Sequence, residues 1–282
     1  MRRYNPIRVS REVSDLSNAR VELFDCAASA QGGHSGLVPS PMRKGLARVA
    51  ELLRCALPQH CALCAAASSR ALLCDECAAD LPTIACACPL CALPAGHRAI
   101  CGECVRWPPP FAETIAALTY AFPVDRLIQQ IKYGGNIALI GWAGAALASA
   151  VRARLAHRDR SLRPQWIVAL PLSASRQRER GFNQAAEIAA RVAAATSLPV
   201  SAPLERIRAG PPQAALPWEA RHGNVRGAFA VRRHVRGVRI ALVDDVMTTG
   251  ATLAEASRTL IAAGARRVEC WVVARTLRPD AG

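Results

Sequence analysis

Four C-x-x-C pairs crowd into residues 61–104: Cys61/Cys64, Cys74/Cys77, Cys88/Cys91 and Cys101/Cys104. Nine residues separate the first pair from the second, nine separate the third from the fourth, and every cysteine of the first set recurs 27 positions later. The segment is an internal duplication. Two residues between thiolates let one tight turn present both sulfurs to a single tetrahedral ion, and a second such turn completes four ligands. A disulfide framework would need an oxidising compartment. The arginines at the N-terminus are followed by no continuous apolar stretch of the kind a secretory leader carries. The spacing therefore predicts structural zinc, one or two ions, with two four-thiolate sites as the default. Four thiolates leave no open coordination position, so such a metal would supply folding energy rather than hydrolytic chemistry. Cys86, two residues before Cys88, is an alternative ligand, whereas Cys26, Cys55 and Cys270 stand apart, Cys270 as a buried thiol.

The flanks of this module differ in character. Residues 1–41 are polar and aperiodic, and read as a disordered tail or as an artefact of a start placed upstream of Met42. From Met42 onward Leu46, Val49, Leu52 and Leu53 recur at helical spacing until Pro58, so 42–107 is expected to hold a leading helix and the double ribbon. Pro108, Pro109 and Pro110 follow Trp107 as a stiff spacer, and 111–282 is expected to form a second domain. Charge is uneven. The chain has 36 Lys+Arg against 21 Asp+Glu, a net of +15, and residues 111–282 hold 24 of the basic and 12 of the acidic side chains. A phosphate ester or a nucleic acid would use such an excess, and an arginine-rich solvated surface would also account for it. The uncharged run Ile137 to Val151 has 15 residues, short of the roughly 20 that span a bilayer, and reads as a buried helix. The expected location is cytoplasmic, with no membrane span.

Beyond the prolines, apolar strand-like and helix-like segments alternate. Ile115 to Tyr120, Trp166 to Leu170, Ile240 to Val243 and Val268 to Ala274 read as strands; Val124 to Tyr133, Ile137 to Leu155, Gln184 to Thr196 and Thr252 to Ala263 read as helices. The order predicts an α/β fold with a parallel, doubly wound sheet, whose ligands sit beyond the carboxyl ends of the strands. The most informative strand-to-helix turn runs Ile240-Ala-Leu-Val-Asp-Asp-Val-Met-Thr-Thr-Gly-Ala-Thr252. Two adjacent carboxylates, Asp244 and Asp245, end an apolar strand. Thr248, Thr249, Gly250 and Thr252 then enter a helix, where backbone amides, hydroxyls and the positive helix end suit a phosphate monoester. The carboxylates are placed to accept hydrogen bonds from sugar hydroxyls.

This string resembles the phosphoribosyl pyrophosphate (PRPP) loop of type I phosphoribosyltransferases. Together with Arg176, Arg178, Arg180 and Gly181-Phe182-Asn183-Gln184, the Ile131-Lys132-Tyr133-Gly134 segment and the paired C-x-x-C ribbons, it resembles the ComF family of amidophosphoribosyltransferase-like competence proteins, from about Cys55 to Thr276. The resemblance implies a type I phosphoribosyltransferase domain, a Rossmann-like parallel sheet, preceded by a small double zinc ribbon. It implies that Asp244 and Asp245 hold the ribose hydroxyls and are the catalytic pair, and that Met247, Thr248, Thr249, Gly250, Ala251 and Thr252 cradle the 5′-phosphate. Pro171, Leu172 and Ser173 match a pyrophosphate loop, with Arg176, Arg178 and Arg180 as clamps and Lys132 at a basic position of the family. Spacing of i, i+2 and i+4 cannot put all three arginines on one helical face. Residues 205–229, with Gln213, Arg221, Asn224 and Phe229, resemble a mobile hood.

Two functions follow from the resemblance. One is an enzyme that binds PRPP with Mg²⁺ and transfers the phosphoribosyl group to an unidentified acceptor, in a protein linked to DNA uptake. The other is a non-catalytic competence factor that uses the same scaffold to bind single-stranded DNA or uptake-machinery partners.

Overall fold

The computed structural model describes residues 59–68, 72–96, 99–134, 137–208 and 225–277. The expectations for residues 1–41 and for the helix after Met42, and those for Cys26 and Cys55, lie outside the described residues.

The ribbon region opens with a short antiparallel pair, β1 (Gln59–His60) and β2 (Ala67–Ser68), followed by α1 (Asp75–Ala79) and α2 (Gly102–Arg106). After the prolines come β3 (Thr114–Thr119), α3 (Val124–Tyr133), α4 (Ile137–Ala156), β4 (Trp166–Ala169), α5 (Ala174–Arg180) and α6 (Gln184–Thr196). The chain continues through β5 (Leu204–Arg206), β6 (Phe229–Val231), β7 (Arg239–Met247), α7 (Ala251–Ala262) and β8 (Arg267–Arg275). Among the described residues, four strands form one sheet in the order β3-β8-β7-β4, every pair parallel. Parallel strands covered on both faces read as continuous apolar runs. β8 shows this from Cys270 to Ala274, all buried, with the buried charges Glu269 and Arg275 on either side.

Strand alternation sorts the core into two layers. Ala241 and Val243 of β7 join Ile167, Trp271 and Val273 in a cluster with α3, α4 and α6. Ile240 and Leu242 face the other way, with Val168, Val268, Cys270 and Val272, onto Leu253, Ala256 and Leu260 of α7. α3 buries Val124, Leu127, Ile128 and Ile131, which are the i, i+3, i+4, i+7 positions of one helical face. α4 and α6 approach closely at Gly144, where an added Cβ would lie 2.6 Å from Cβ of Arg191. At the amino ends of β3 and β8, a buried ion-pair cluster ties down the end of α4. Arg158 donates to both oxygens of Glu269, at 2.6 and 2.8 Å, and also to Glu113, which accepts from Arg154 at 2.5 Å.

The elements expected from the sequence are present, with differences. β7 runs on through both aspartates to Met247, because β8 continues the ladder opposite it as far as Arg275. The short helix α5 and the antiparallel β5–β6 ribbon had no periodic signal in the sequence. That ribbon brackets the expected hood; residues 209–224, with Gln213, Arg221 and Asn224, lie outside the described residues.

Candidate functional site

Two constellations carry chemistry. The first is the pair of cysteine clusters. Sulfurs of Cys61, Cys64, Cys74 and Cys77 lie within 4.8 Å of one another, and so do those of Cys88, Cys91, Cys101 and Cys104. Cys64 and Cys74 sulfurs are 3.7 Å apart and Cys91 and Cys101 sulfurs 3.6 Å. A tetrahedral ion with Zn–S bonds of about 2.3 Å requires sulfurs about 3.8 Å apart, so both sets fit zinc. Backbone amides support the thiolates: Leu63 N–H donates to Cys61 Sγ and Cys101 N–H to Cys88 Sγ. Burial alone would raise Cys61 and Cys88. The N–H groups aimed at them outweigh it, bringing them down to about 6 and about 7. Cys86 is exposed and outside both clusters, and Cys270 is a buried thiol whose pKa burial pushes up.

The second constellation is a cleft of about 490 Å³ at the carboxyl edge of the sheet. β7 enters it with Asp244 on the α7 side and Asp245 on the α3 side, as the alternation of Leu242 and Val243 dictates. Each carboxylate is oriented by the following amide: Asp245 N–H donates to Asp244 Oδ1 at 2.9 Å, and Val246 N–H to Asp245 Oδ1 at 2.7 Å. Asp245 is also paired with Lys132 of α3, whose Nζ lies 3.1 Å away. Burial alone would lower that lysine's pKa; attraction to Asp245, their hydrogen bond and Asp244 more than reverse this and raise it. Among the described residues Asp244 has no ion-pair partner. Burial, then the neighbouring charge of Asp245, pushes its pKa up to about 8.

After Met247 the chain turns into α7 through Thr248, Thr249 and Gly250. Gly250 sits at φ +80°, in the left-handed region where a side chain is strained. Thr249 Oγ1 accepts from Ala251 N–H, which leaves Thr248, Gly250, Ala251 and Thr252 lining the cleft and Thr249 outside it. Across the cleft, Pro171 and Leu172 precede α5. Ser173 is a buried helix cap whose hydroxyl accepts from Arg176 N–H, and it does not line the cleft. Arg176 and Arg180, four residues apart, face the cleft; Arg178, about 200° round the helix, is exposed and outside it. Arg180 donates to Gln184 Oε1 at 3.2 Å and lies 5.6 Å from the ring centre of Tyr133.

Sequence reasoning missed Arg206, Tyr120, Tyr133, Gln129 and Gln184 as lining residues. Arg206 stands at the end of the short β5; burial and the like charge of Arg176 lower its pKa, while Asp244 opposes them. The Asn183-Gln184 pair belonged to a quoted motif, but no role was attached to it. The cleft thus sets four cations, Lys132, Arg176, Arg180 and Arg206, around two carboxylates.

Residues 52–105 match the double zinc ribbon domain family. The chain is 33% identical over 222 residues to DNA utilization protein YhgH of Salmonella typhimurium, covering 77% of this chain and 90% of that protein. It is 31% identical over 163 residues to competence protein F of Haemophilus influenzae, covering 55% of this chain and 69% of that protein. The chain belongs to the ComF family. Among solved structures, the ComF chain is similar to the glutamine PRPP amidotransferase of B. subtilis, at 22% identity and a TM-score of 0.31. That match covers 47% of this chain and spans a quarter of the amidotransferase's length, 25%. No helix among the described residues is long and apolar enough to cross a membrane.

Proposed function

We propose that the cleft binds PRPP and transfers its phosphoribosyl group to a nitrogen acceptor, in a cytoplasmic protein that serves DNA uptake or utilization, as the names of its relatives suggest. The observation that carries this reading is the convergence, at one sheet edge, of two adjacent carboxylates, the Thr248–Thr252 turn at the start of α7, and Arg176 and Arg180 opposite. The turn would take the 5′-phosphate on backbone amides at a helix amino end. Asp244 and Asp245 would accept from the ribose hydroxyls. The two arginines and Arg206 would bind pyrophosphate through fork-shaped donor sets. Mg²⁺ accompanying PRPP would neutralise charge on the pyrophosphate as it leaves. The chain's own contribution would be positioning, with stabilisation of the charge that develops on the leaving group.

The domain boundaries proposed are 42–107 for leading helix and ribbons and 111–282 for the transferase domain, with zinc bound at both cysteine clusters. Calorimetry of PRPP with and without Mg²⁺, followed by a pyrophosphate-release screen over candidate acceptors, tests the reading. No binding at millimolar PRPP with Mg²⁺ overturns it.

A second reading has its own support. Residues 111–282 carry 24 basic against 12 acidic side chains, and Arg178 is exposed on the face of α5 turned away from the cleft. A non-catalytic protein that binds single-stranded DNA would use both. Its signature would be affinity that falls steeply with salt and is unchanged by loss of Asp244 or Asp245.

A further inference from the structure

Arg275, the last residue of β8, is 2% exposed. A buried guanidinium without a counter-charge is costly, yet no carboxylate among the described residues pairs with it. Among the described residues it donates to four backbone carbonyls, and the Cys91 sulfur also attracts it. Nε donates to the Cys91 carbonyl at 2.7 Å. Nη1 donates to Met247 and Thr276 at 2.9 Å each, and to Thr248. One side chain therefore grips a turn of the second cysteine cluster and the first two residues of the turn that enters α7. The same cysteine turn is fastened to the sheet twice more: Thr114 N–H donates to Pro89 at 3.0 Å and Thr114 Oγ1 to Leu90 at 2.6 Å. The thiols of Cys91, Cys104 and Cys101, which lose their protons on binding metal, act electrostatically on Arg275. A zinc ion held by four thiolates carries a formal charge of −2, which supplies the missing counter-charge.

We propose that Arg275 is a positioning residue for the Met247–Gly250 turn, and that metal in the Cys88, Cys91, Cys101 and Cys104 cluster fixes it in place. Its relevance to ligand binding rests on the reading of that turn as a phosphate cradle. Among the described residues no hydrogen bond joins Arg275 to the first cluster, so the two metals are unequal: one braces the ribbon, the other sets the geometry of the cleft.

The experiment is amide hydrogen exchange on the full chain. In Cys77→Ser protein, where the first cluster lacks a ligand, a chelator then withdraws the remaining metal. Exchange at Thr248–Gly250 should rise at least tenfold while Ile240–Val243 of β7 stays protected. A loop that exchanges as before overturns the proposal. So does simultaneous opening of the loop and of β7, because the metal would then hold the whole domain. A second arm uses Arg275→Lys, which keeps the charge but loses the fork. Metal content should be unchanged, exchange at the loop faster, and affinity for ribose 5-phosphate about tenfold weaker. Loop exchange equal to that of the original protein refutes the positioning role. If the original protein binds no ribose 5-phosphate, the phosphate-cradle reading fails alone, and the exchange arms still decide the coupling.

Discussion

Asp244 gives the cleft a pH dependence that can be worked out from its surroundings. Burial and the adjacent Asp245 push its pKa up to about 8. In the free protein at pH 7 it is therefore mostly protonated. Only the ionised form accepts from two sugar hydroxyls at once, so binding below pH 8 must first expel a proton. One pH unit corresponds to about 1.4 kcal/mol, so PRPP affinity at pH 7 should be about tenfold weaker than on the plateau above pH 9. Phosphate monoesters have a second pKa of about 6 and are mostly dianionic by about pH 7, so the ligand contributes little to a slope between about pH 7 and 9. Replacing Asp244 by Asn keeps the shape, and should flatten this slope while weakening the plateau by roughly 1.5–3 kcal/mol, the worth of a charge-assisted hydrogen bond. Calorimetry in two buffers of different ionisation enthalpy should also show close to one proton released at pH 7, and none for the variant. Stability follows the opposite course. The folded state keeps a proton that an unfolded aspartate loses near pH 4, so this group's contribution is fully present below pH 4 and is lost as pH rises to about 8. The Asn variant should melt above the original protein at pH 8 and level with it at pH 4. Affinity that is flat from pH 7 to 9 in the original protein, or an equal slope in the variant, refutes the assignment.

Other perturbations separate the parts of the molecule. Arg176→Ala should weaken PRPP binding about tenfold or more, whereas Arg178→Ala, on the far side of α5, should change it less than twofold; titration calorimetry compares them. Glu269→Ala leaves Arg158 buried with half its partners and should cost about 3 kcal/mol, lowering the melting temperature by roughly ten degrees in a scanning calorimeter. Metal quantification should find two zinc ions per chain, and one in Cys77→Ser protein, with the sheet domain still folded.

Local signals carried the sequence reading where chemistry and fold are both encoded within a few residues. The duplicated cysteines placed eight ligands, and the run from Ile240 to Thr252 placed strand, acids, turn and helix, because each is set by neighbours along the chain. The reading failed where partners come from distant segments. Nothing local pairs Lys132 with Asp245; the sheet order β3-β8-β7 and the crossover through α3 bring them within 3.1 Å. Arg206 joins the cleft because β5 pairs with β6, and that ribbon has only three residues per strand to announce itself. Spacing alone rules out one face for all three arginines, but only α5 shows which one leaves it: Arg176 and Arg180 share the cleft face and Arg178 does not. The family resemblance puts Ser173 with Pro171 and Leu172 in a pyrophosphate loop, whereas its hydroxyl caps α5 and accepts from Arg176 N–H. Arg275 carries no local signal, although it closes the apolar run Cys270 to Ala274 of β8.

The energetic cost of Asp244 also bears on which function the cleft performs. A groove that only tracked a polyanionic backbone would gain nothing from two carboxylates set among Lys132, Arg176, Arg180 and Arg206, since each acid repels the phosphates the cations attract. Holding a half-buried carboxyl beside Asp245, with its pKa far above the ordinary value, destabilises the empty protein at neutral pH. Perturbed acids of this kind concentrate at sites where a ligand makes use of them. The ligand that would relieve this cost must offer hydroxyl donors to the acids and phosphate oxygens to the cations within a single small molecule, as a ribose phosphate does. Ribose 5-phosphate should therefore bind more weakly to the Asp244→Asn variant than to the original protein at pH 9, while inorganic pyrophosphate, which has only the second half of that chemistry, should bind the variant at least as tightly. Pyrophosphate that loses affinity along with the sugar phosphate would show that the acids shape the cleft rather than contact the ribose.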